Sequence, residues 1–152
     1  MTSLADAFSN EERARFANDS LAIGVVIKIF VVDTTPPKEK RVIVMGESFD
    51  RLLVATVYIN TELNENVFPT DELKSLNPQF LSENRDYLAH DSYVDCSNLH
   101  PIKKELLANI IAGDPSRVLG NLSGDDLKQL RSVIKSAKTI KPSLKKTFGL
   151  FL

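Results

Sequence analysis

The most apolar stretch of the chain, Leu21 to Val32, is rich in Val and Ile and carries one charge, Lys28. So β-branched a run disfavours a helix and predicts a buried strand. Arg41 to Met45 and Leu52 to Ile59 predict two more strands. They are set apart by the two-proline loop Asp33 to Lys40 and a turn at Gly46 to Arg51. Ser3 to Asn18 predicts an N-terminal helix anchored by Phe8 and Phe16, with Ser9 and Glu12 at capping-box spacing inside it. Phe68 to Leu88 is irregular, with Phe80 and Leu81 expected inside. Lys103 to Ala112 predicts a short helix closed by Gly113. The clearest periodicity lies in Gly120 to Ile140. Leu127, Leu130, Ile134 and Ala137 form an apolar stripe there, and Lys128, Arg131, Lys135 and Lys138 form a basic one. Ser123 is its expected N-cap, and Leu122 and Leu127 occupy hydrophobic-staple positions.

One segment combines strand pattern with chemistry. His90 to Ile102 holds both histidines, two aspartates, two serines, an asparagine and the only cysteine. Period-two alternation predicts Val94, Cys96, Asn98 and His100 on one face and Tyr93, Asp95, Ser97 and Leu99 on the other. Pro101 cannot donate to a ladder, so the strand is expected to end or reach an edge there. Cys96 and His100 are too far apart along an extended strand to act as a nucleophile pair, and Cys96 reads as a small buried hydrophobe.

At 152 residues the chain fits one domain, 1–152, with a helical extension at 1–20, a core at 21–140 and a tail at 141–152. The absence of regular βαβ alternation disfavours a doubly wound parallel sheet. A single cysteine suits a reducing cytoplasm, no apolar run reaches membrane-spanning length, and no signal-peptide pattern opens the chain. One Cys and two His are too few for a structural zinc site, and the isolated glycines form no phosphate loop, so no metal or other cofactor is expected. Net charge is −1, yet every charge after Asp126 is basic: Lys128, Arg131, Lys135, Lys138, Lys141, Lys145 and Lys146. This asymmetry points to an anionic partner. The apolar end, Phe148 to Leu152, is expected to pack on the domain or on a second subunit.

Three segments in this order resemble the PemK/MazF family of toxin endoribonucleases. Arg41-Val-Ile-Val-Met-Gly is similar to that family's second strand. Leu53-Val-Ala-Thr-Val-Tyr-Ile-Asn-Thr61 is similar to its third, which closes on a Thr near the pocket. Asp91-Ser-Tyr-Val-Asp-Cys-Ser-Asn-Leu-His-Pro-Ile is similar to its late strand, and Arg117 to Leu127 resembles the link into its final helix. The chain departs from the family in its first loop, at Val42 in place of a proline, and at His100 where many relatives carry Arg. The resemblance implies an α+β fold with a mainly β core: a small SH3-like β-barrel with an N-terminal helix and a C-terminal amphipathic helix. It also implies a homodimer, an antitoxin protein as partner, and metal-independent cleavage of single-stranded RNA by 2′-hydroxyl attack.

Under that resemblance Arg41, Thr61 and His100 are the candidate catalytic residues, and Asn60, Asn98, Ser97 and Tyr93 the candidate substrate-binding residues. The planar fork of Arg41 suits phosphate oxygens, and an imidazole is the natural acid/base near neutral pH. Tyr58 and Tyr93 are the aromatics available for base stacking. Two other readings stay open. One is the same barrel as a binding module without cleavage. The other is a partner in a larger complex that docks through the basic helix.

Overall fold

The computed structural model describes residues 9–32, 34 and 36–151. The expected helix start at Ser3, its anchor Phe8 and the terminal Leu152 lie outside the described residues. Helix α1, Asn10–Ser20, starts where Ser9 accepts a hydrogen bond from the Glu12 amide at 3.1 Å. It runs two residues past the predicted end. Three strands follow: β1 (Val25–Val31), β2 (Lys38–Glu47) and β3 (Leu53–Asn60). The irregular region contains the single-turn helix α2 (Asp71–Ser75) and a two-residue strand, β4 (Gln79–Phe80). Phe80 is fully buried as expected, but Leu81 is half exposed. Gln79 and Leu81 flank Phe80, and alternation that sends Phe80 inward turns both of them outward.

The long polar strand β5 (Ser92–Lys103) leads directly into helix α3 (Lys104–Gly113). A 3-10 turn at Pro115–Arg117 precedes strand β6 (Val118–Asn121), whose second half, Gly120 and Asn121, the sequence pattern assigns to the helical segment after it. That helix, α4 (Gly124–Ser136), is capped by Ser123, which accepts from the Asp126 amide at 3.1 Å. A short helix, α5 (Pro142–Thr147), leads to the apolar tail.

The six strands form one curled antiparallel sheet, a half-barrel, in the order β4-β5-β3-β2-β1-β6. Together with the five helices this is the α+β architecture with a mainly β core that the sequence predicts. Both faces of the sheet are covered. Val26, Ile43, Met45, Val57 and Val94 pack against α4 and the tail. Val25, Ile27, Val42, Val44 and Val54 pack against α1 and α3. Burial on both sides explains why β1 reads as continuous apolar sequence instead of alternating. Leu130 and Ile134 of α4 are fully buried, each worth roughly 1.5–3 kcal/mol relative to exposure. Pro101 stays inside β5, paired with Ala55, and β4 reaches only Ser92 and Tyr93 on the other side. Its missing N–H therefore falls on an open edge, as expected.

The two ends of the sheet are tied by side chains. Tyr87, after β4, packs against Gly120 of β6. Arg85 Nε and Nη2 donate to the two Asp126 carboxylate oxygens, each at 2.9 Å, while the guanidinium lies 4.4 Å from the Phe80 ring centroid. Donation from Arg85 holds the Asp126 carboxyl below its ordinary value, against an opposing effect of burial. Burial, with the Asp126 charge nearby, pushes the Tyr87 phenol up to about 12.

The tail closes on the domain itself. Phe148 and Leu150 are buried against β2, where a β-carbon at Gly46 would stand 2.6 Å from the Phe148 carbonyl oxygen. Lys145 is buried, and its ammonium donates to the carbonyls of Lys135 (2.8 Å) and Ala137 (2.7 Å) at the end of α4. A cation there satisfies terminal carbonyls and complements the helix dipole.

Gly46→Ala is expected to lower unfolding free energy by about 1–3 kcal/mol through this overpacking against backbone, read as a shift in denaturant midpoint. Asp126→Asn is expected to cost about 2–3 kcal/mol at pH 7. Because the folded carboxyl titrates below its unfolded value of 3.8, the wild-type advantage is present above that pH and fades as pH falls through the folded value. Denaturation at pH 7 and pH 2.5 checks both points. An equal gap at the two pH values would contradict the assignment.

Candidate functional site

Two concavities stand out. A groove of ≈ 660 Å³ between α1, α3 and the β2–β3 turn has an alanine and leucine floor, including Ala14, Ala17, Leu52 and Ala108, and a charged rim that includes Asp50, Arg51, Lys104 and Glu105. It holds none of the sequence-predicted site residues. The other, a cleft of ≈ 780 Å³, lies where β2 begins and β3 ends. It is walled by the loops after β3 and before β5 and by the middle of β5. Six of the seven sequence-predicted site residues line it: Arg41, Asn60, Thr61, Ser97, Asn98 and His100. The seventh, Tyr93, is half buried, pairs with Asn60 and Gln79, and is not among the lining residues.

A register break in β5 shapes this cleft. Tyr58 of β3 pairs with Asp95, but Thr56, two residues earlier, pairs with His100. Residues 96–99 therefore bulge opposite Val57. Val94 before the bulge and Cys96 and Leu99 within it all enter the core beside α4. The step from Cys96 to Leu99 is three residues, so the alternation slips by one and His100 turns to the opposite face. This corrects the sequence expectation, which grouped His100 with Val94 and Cys96 and assigned Leu99 to the other side. Asp95 and Ser97, expected to point away, line the cleft instead.

Local hydrogen bonds hold the bulge. Asp95 Oδ1 accepts from the Ser97 amide at 2.9 Å and from the Ser97 hydroxyl. Asn98 Oδ1 accepts from the Leu99 amide at 2.9 Å, and the Thr139 hydroxyl after α4 donates to the Ser97 carbonyl. Such short-range side-chain bonds offer the backbone an alternative to the ladder. Asp95 and Asn98 thus shape the backbone as well as lining the cleft.

His100 leaves the bulge stacked on Tyr58, with ring centroids 3.8 Å apart and planes 5° from parallel. The Thr56 hydroxyl donates to the His100 carbonyl at 2.9 Å. Lys40 Nζ lies 5.5 Å from the Tyr58 centroid, within cation–π range, and donates to Asn60 Oδ1. Lys40, Tyr58 and His100 therefore form one layered group on the sheet face that carries Val42 and Val54. Arg41 pairs with Ile59 and so belongs to the other face. The cleft curls around the strand end and is lined from both sides. Arg41 Nε is buried and has no hydrogen-bond partner among the described residues.

Lys38, Lys40 and Arg41 are offset in the lining by Glu39, Glu62 and Asp95. Glu39 is engaged from outside the cleft by Arg117 at 3.2 Å and Lys28 at 3.8 Å. Its charge is therefore partly spent elsewhere. Burial pushes the Cys96 thiol far up, which removes the thiolate that nucleophilic chemistry needs. Among the described residues no group of three or more His, Cys, Asp or Glu is placed to hold a metal ion, and no helix is long and apolar enough to cross a membrane.

Lys40 is one of the lining residues that sequence reasoning missed, with His90 and Glu62 among the others. Its place beside Tyr58 and Asn60 follows from β2–β3 pairing, and nothing local in Pro-Lys-Glu-Lys-Arg signals it. No protein-family model and no curated protein matches the sequence.

An Arg held with a buried, unsatisfied donor is costly to the fold. Arg41→Met keeps the apolar stem, so it is expected to leave stability unchanged or raise it by about 1 kcal/mol. Thermal and denaturant unfolding measure this. A clear loss of stability would mark Arg41 as a structural residue.

Proposed function

We propose that this chain is a metal-independent endoribonuclease of toxin–antitoxin type that cuts single-stranded RNA in the β2–β3–β5 cleft. The observation that carries the reading is the shared cleft: residues far apart in sequence, Arg41, Thr61 and His100, line it together with Asn60 and Asn98. The Tyr58–His100 stack adds an aromatic surface of the kind on which unpaired bases lie.

In the proposed reaction the ribose 2′-oxygen attacks the adjacent phosphorus as its proton is removed. The bond to the 5′-oxygen breaks, and that oxygen takes up a proton. The products are a 2′,3′-cyclic phosphate and a 5′-hydroxyl. Arg41, which lines the cleft, stabilises charge on the phosphate oxygens through the terminal nitrogens of its guanidinium. Thr61 donates to the same group, and His100 is the acid/base. Stacking occupies a face of the imidazole, whereas proton transfer uses nitrogens at the ring edge, so the two roles are compatible. Tyr58 takes the stacking role the sequence shared between Tyr58 and Tyr93. A homodimer and an antitoxin that blocks the cleft belong to the same proposal, as does a cytoplasmic site of action.

A second reading, the same fold binding RNA or protein without cleavage, is favoured by one observation. Arg41 and His100 approach the cleft from opposite sheet faces, so a phosphate must sit at the strand end to meet both.

Purified protein incubated with a long single-stranded RNA in EDTA decides between them. Discrete fragments ending in 2′,3′-cyclic phosphate are expected from the wild type, with at least a hundredfold less from Arg41→Ala and from His100→Ala. Intact RNA with folded, inhibitor-free wild type would overturn the enzyme and leave the binding module.

A further inference from the structure

The cleft does not end at β5. Asn98, on its lip, also lines a second depression of ≈ 450 Å³ at the α4–α5 corner. That depression is formed by Thr139, Ile140, Lys141, Ser143, Leu144 and Thr147. Thr139 fastens the corner to the bulge through its hydrogen bond to the Ser97 carbonyl. The two concavities therefore adjoin at the bulge.

Their charges differ. The cleft lining balances three cations against three carboxylates. The corner belongs to the part of the chain after Asp126, which has no acid. Lys145 is buried and committed to the end of α4. Lys138 and Lys141 are exposed at the corner, and Lys138 has only a loose surface pair with Glu72 at 3.8 Å. Such a pair between exposed groups contributes little and yields readily to a stronger anion. A polyanion seated by its bases in a charge-balanced cleft gains most of its electrostatic attraction where phosphates meet uncompensated lysines.

We infer that single-stranded RNA held in the cleft continues past Asn98 onto the α4–α5 corner, where Lys138 and Lys141 contact the phosphates of the flanking nucleotides. The inference rests on the cleft being an RNA site. It assigns the basic end of the chain to extending that site. RNA is favoured over an acidic protein because the corner adjoins the cleft with its stacked rings.

The test compares a trinucleotide, too short to span both the cleft and the corner, with a decanucleotide of the same central sequence and a polyglutamate peptide. Binding is followed by fluorescence anisotropy against salt, for wild type and for the Lys138→Gln, Lys141→Gln double variant. The decanucleotide is expected to bind the wild type more tightly than the trinucleotide. The double variant should lose about five- to tenfold for the decanucleotide only. Its log–log salt slope should fall by about 1.4, two phosphate contacts at roughly 0.7 each. An unchanged decanucleotide affinity in a folded double variant would overturn the extension while leaving the cleft reading intact. Equal losses for both oligonucleotides would also overturn it. Salt-insensitive or absent binding of both by the wild type would remove the RNA reading and the extension together. Polyglutamate bound as tightly as the decanucleotide, with only its binding lost in the variant, would reassign the corner to an acidic protein.

Discussion

The one-residue slip in β5 between Cys96 and Leu99 governs how this molecule presents its chemistry. With strict alternation, Leu99 would face away from the core and His100 would lie inside beside α4. The slip reverses both. Leu99 fills the core with Val94 and Cys96, and His100 stacks on Tyr58 at the opposite face. A buried leucine and a cleft-lining imidazole are thus two consequences of one bulge. Two polar side chains of the segment, Asp95 and Asn98, accept from backbone amides of that bulge, and the Ser97 hydroxyl donates to the Asp95 carboxylate.

Covering both faces of the sheet leaves little room for polar groups except at strand ends. The inner face is filled by α4 and the tail, and the outer by α1 and α3. A cleft rich in polar side chains can form only where the layers stop, beyond the start of β2 and the end of β3. The same layering explains the tail. Phe148 and Leu150 complete the inner core, and the buried Lys145 ties α5 to the last carbonyls of α4. The apolar end is thereby mostly used within the chain. Phe151, half exposed, is the part left outside.

The Arg85–Asp126 pair does for the sheet what hydrogen bonding does for a closed barrel. The edge strands β4 and β6 are at opposite ends of the strand order. The ion pair, with Tyr87 packed on Gly120, brings the neighbourhoods of the two together. Asp126 also sits in the first turn of α4, where a negative charge suits the helix dipole. One carboxylate thus serves both helix initiation and closure of the curled sheet.

Local signals determined a good deal of this protein. The caps at Ser9 and Ser123 join residues three apart, and the α4 stripe and the unbroken apolar run of β1 are composition and spacing that the chain itself records. The six cleft residues were also legible, through chemical type and a family-like order of strands. Tertiary structure alone decided the face that His100 occupies, the recruitment of Lys40 beside Tyr58, the outward turn of Leu81 and the short strand β6. Each depends on which strand lies next to which and on a register offset of a single residue. Period-two patterning cannot report a bulge, because the extra residue is defined only by the partner strand that lacks it.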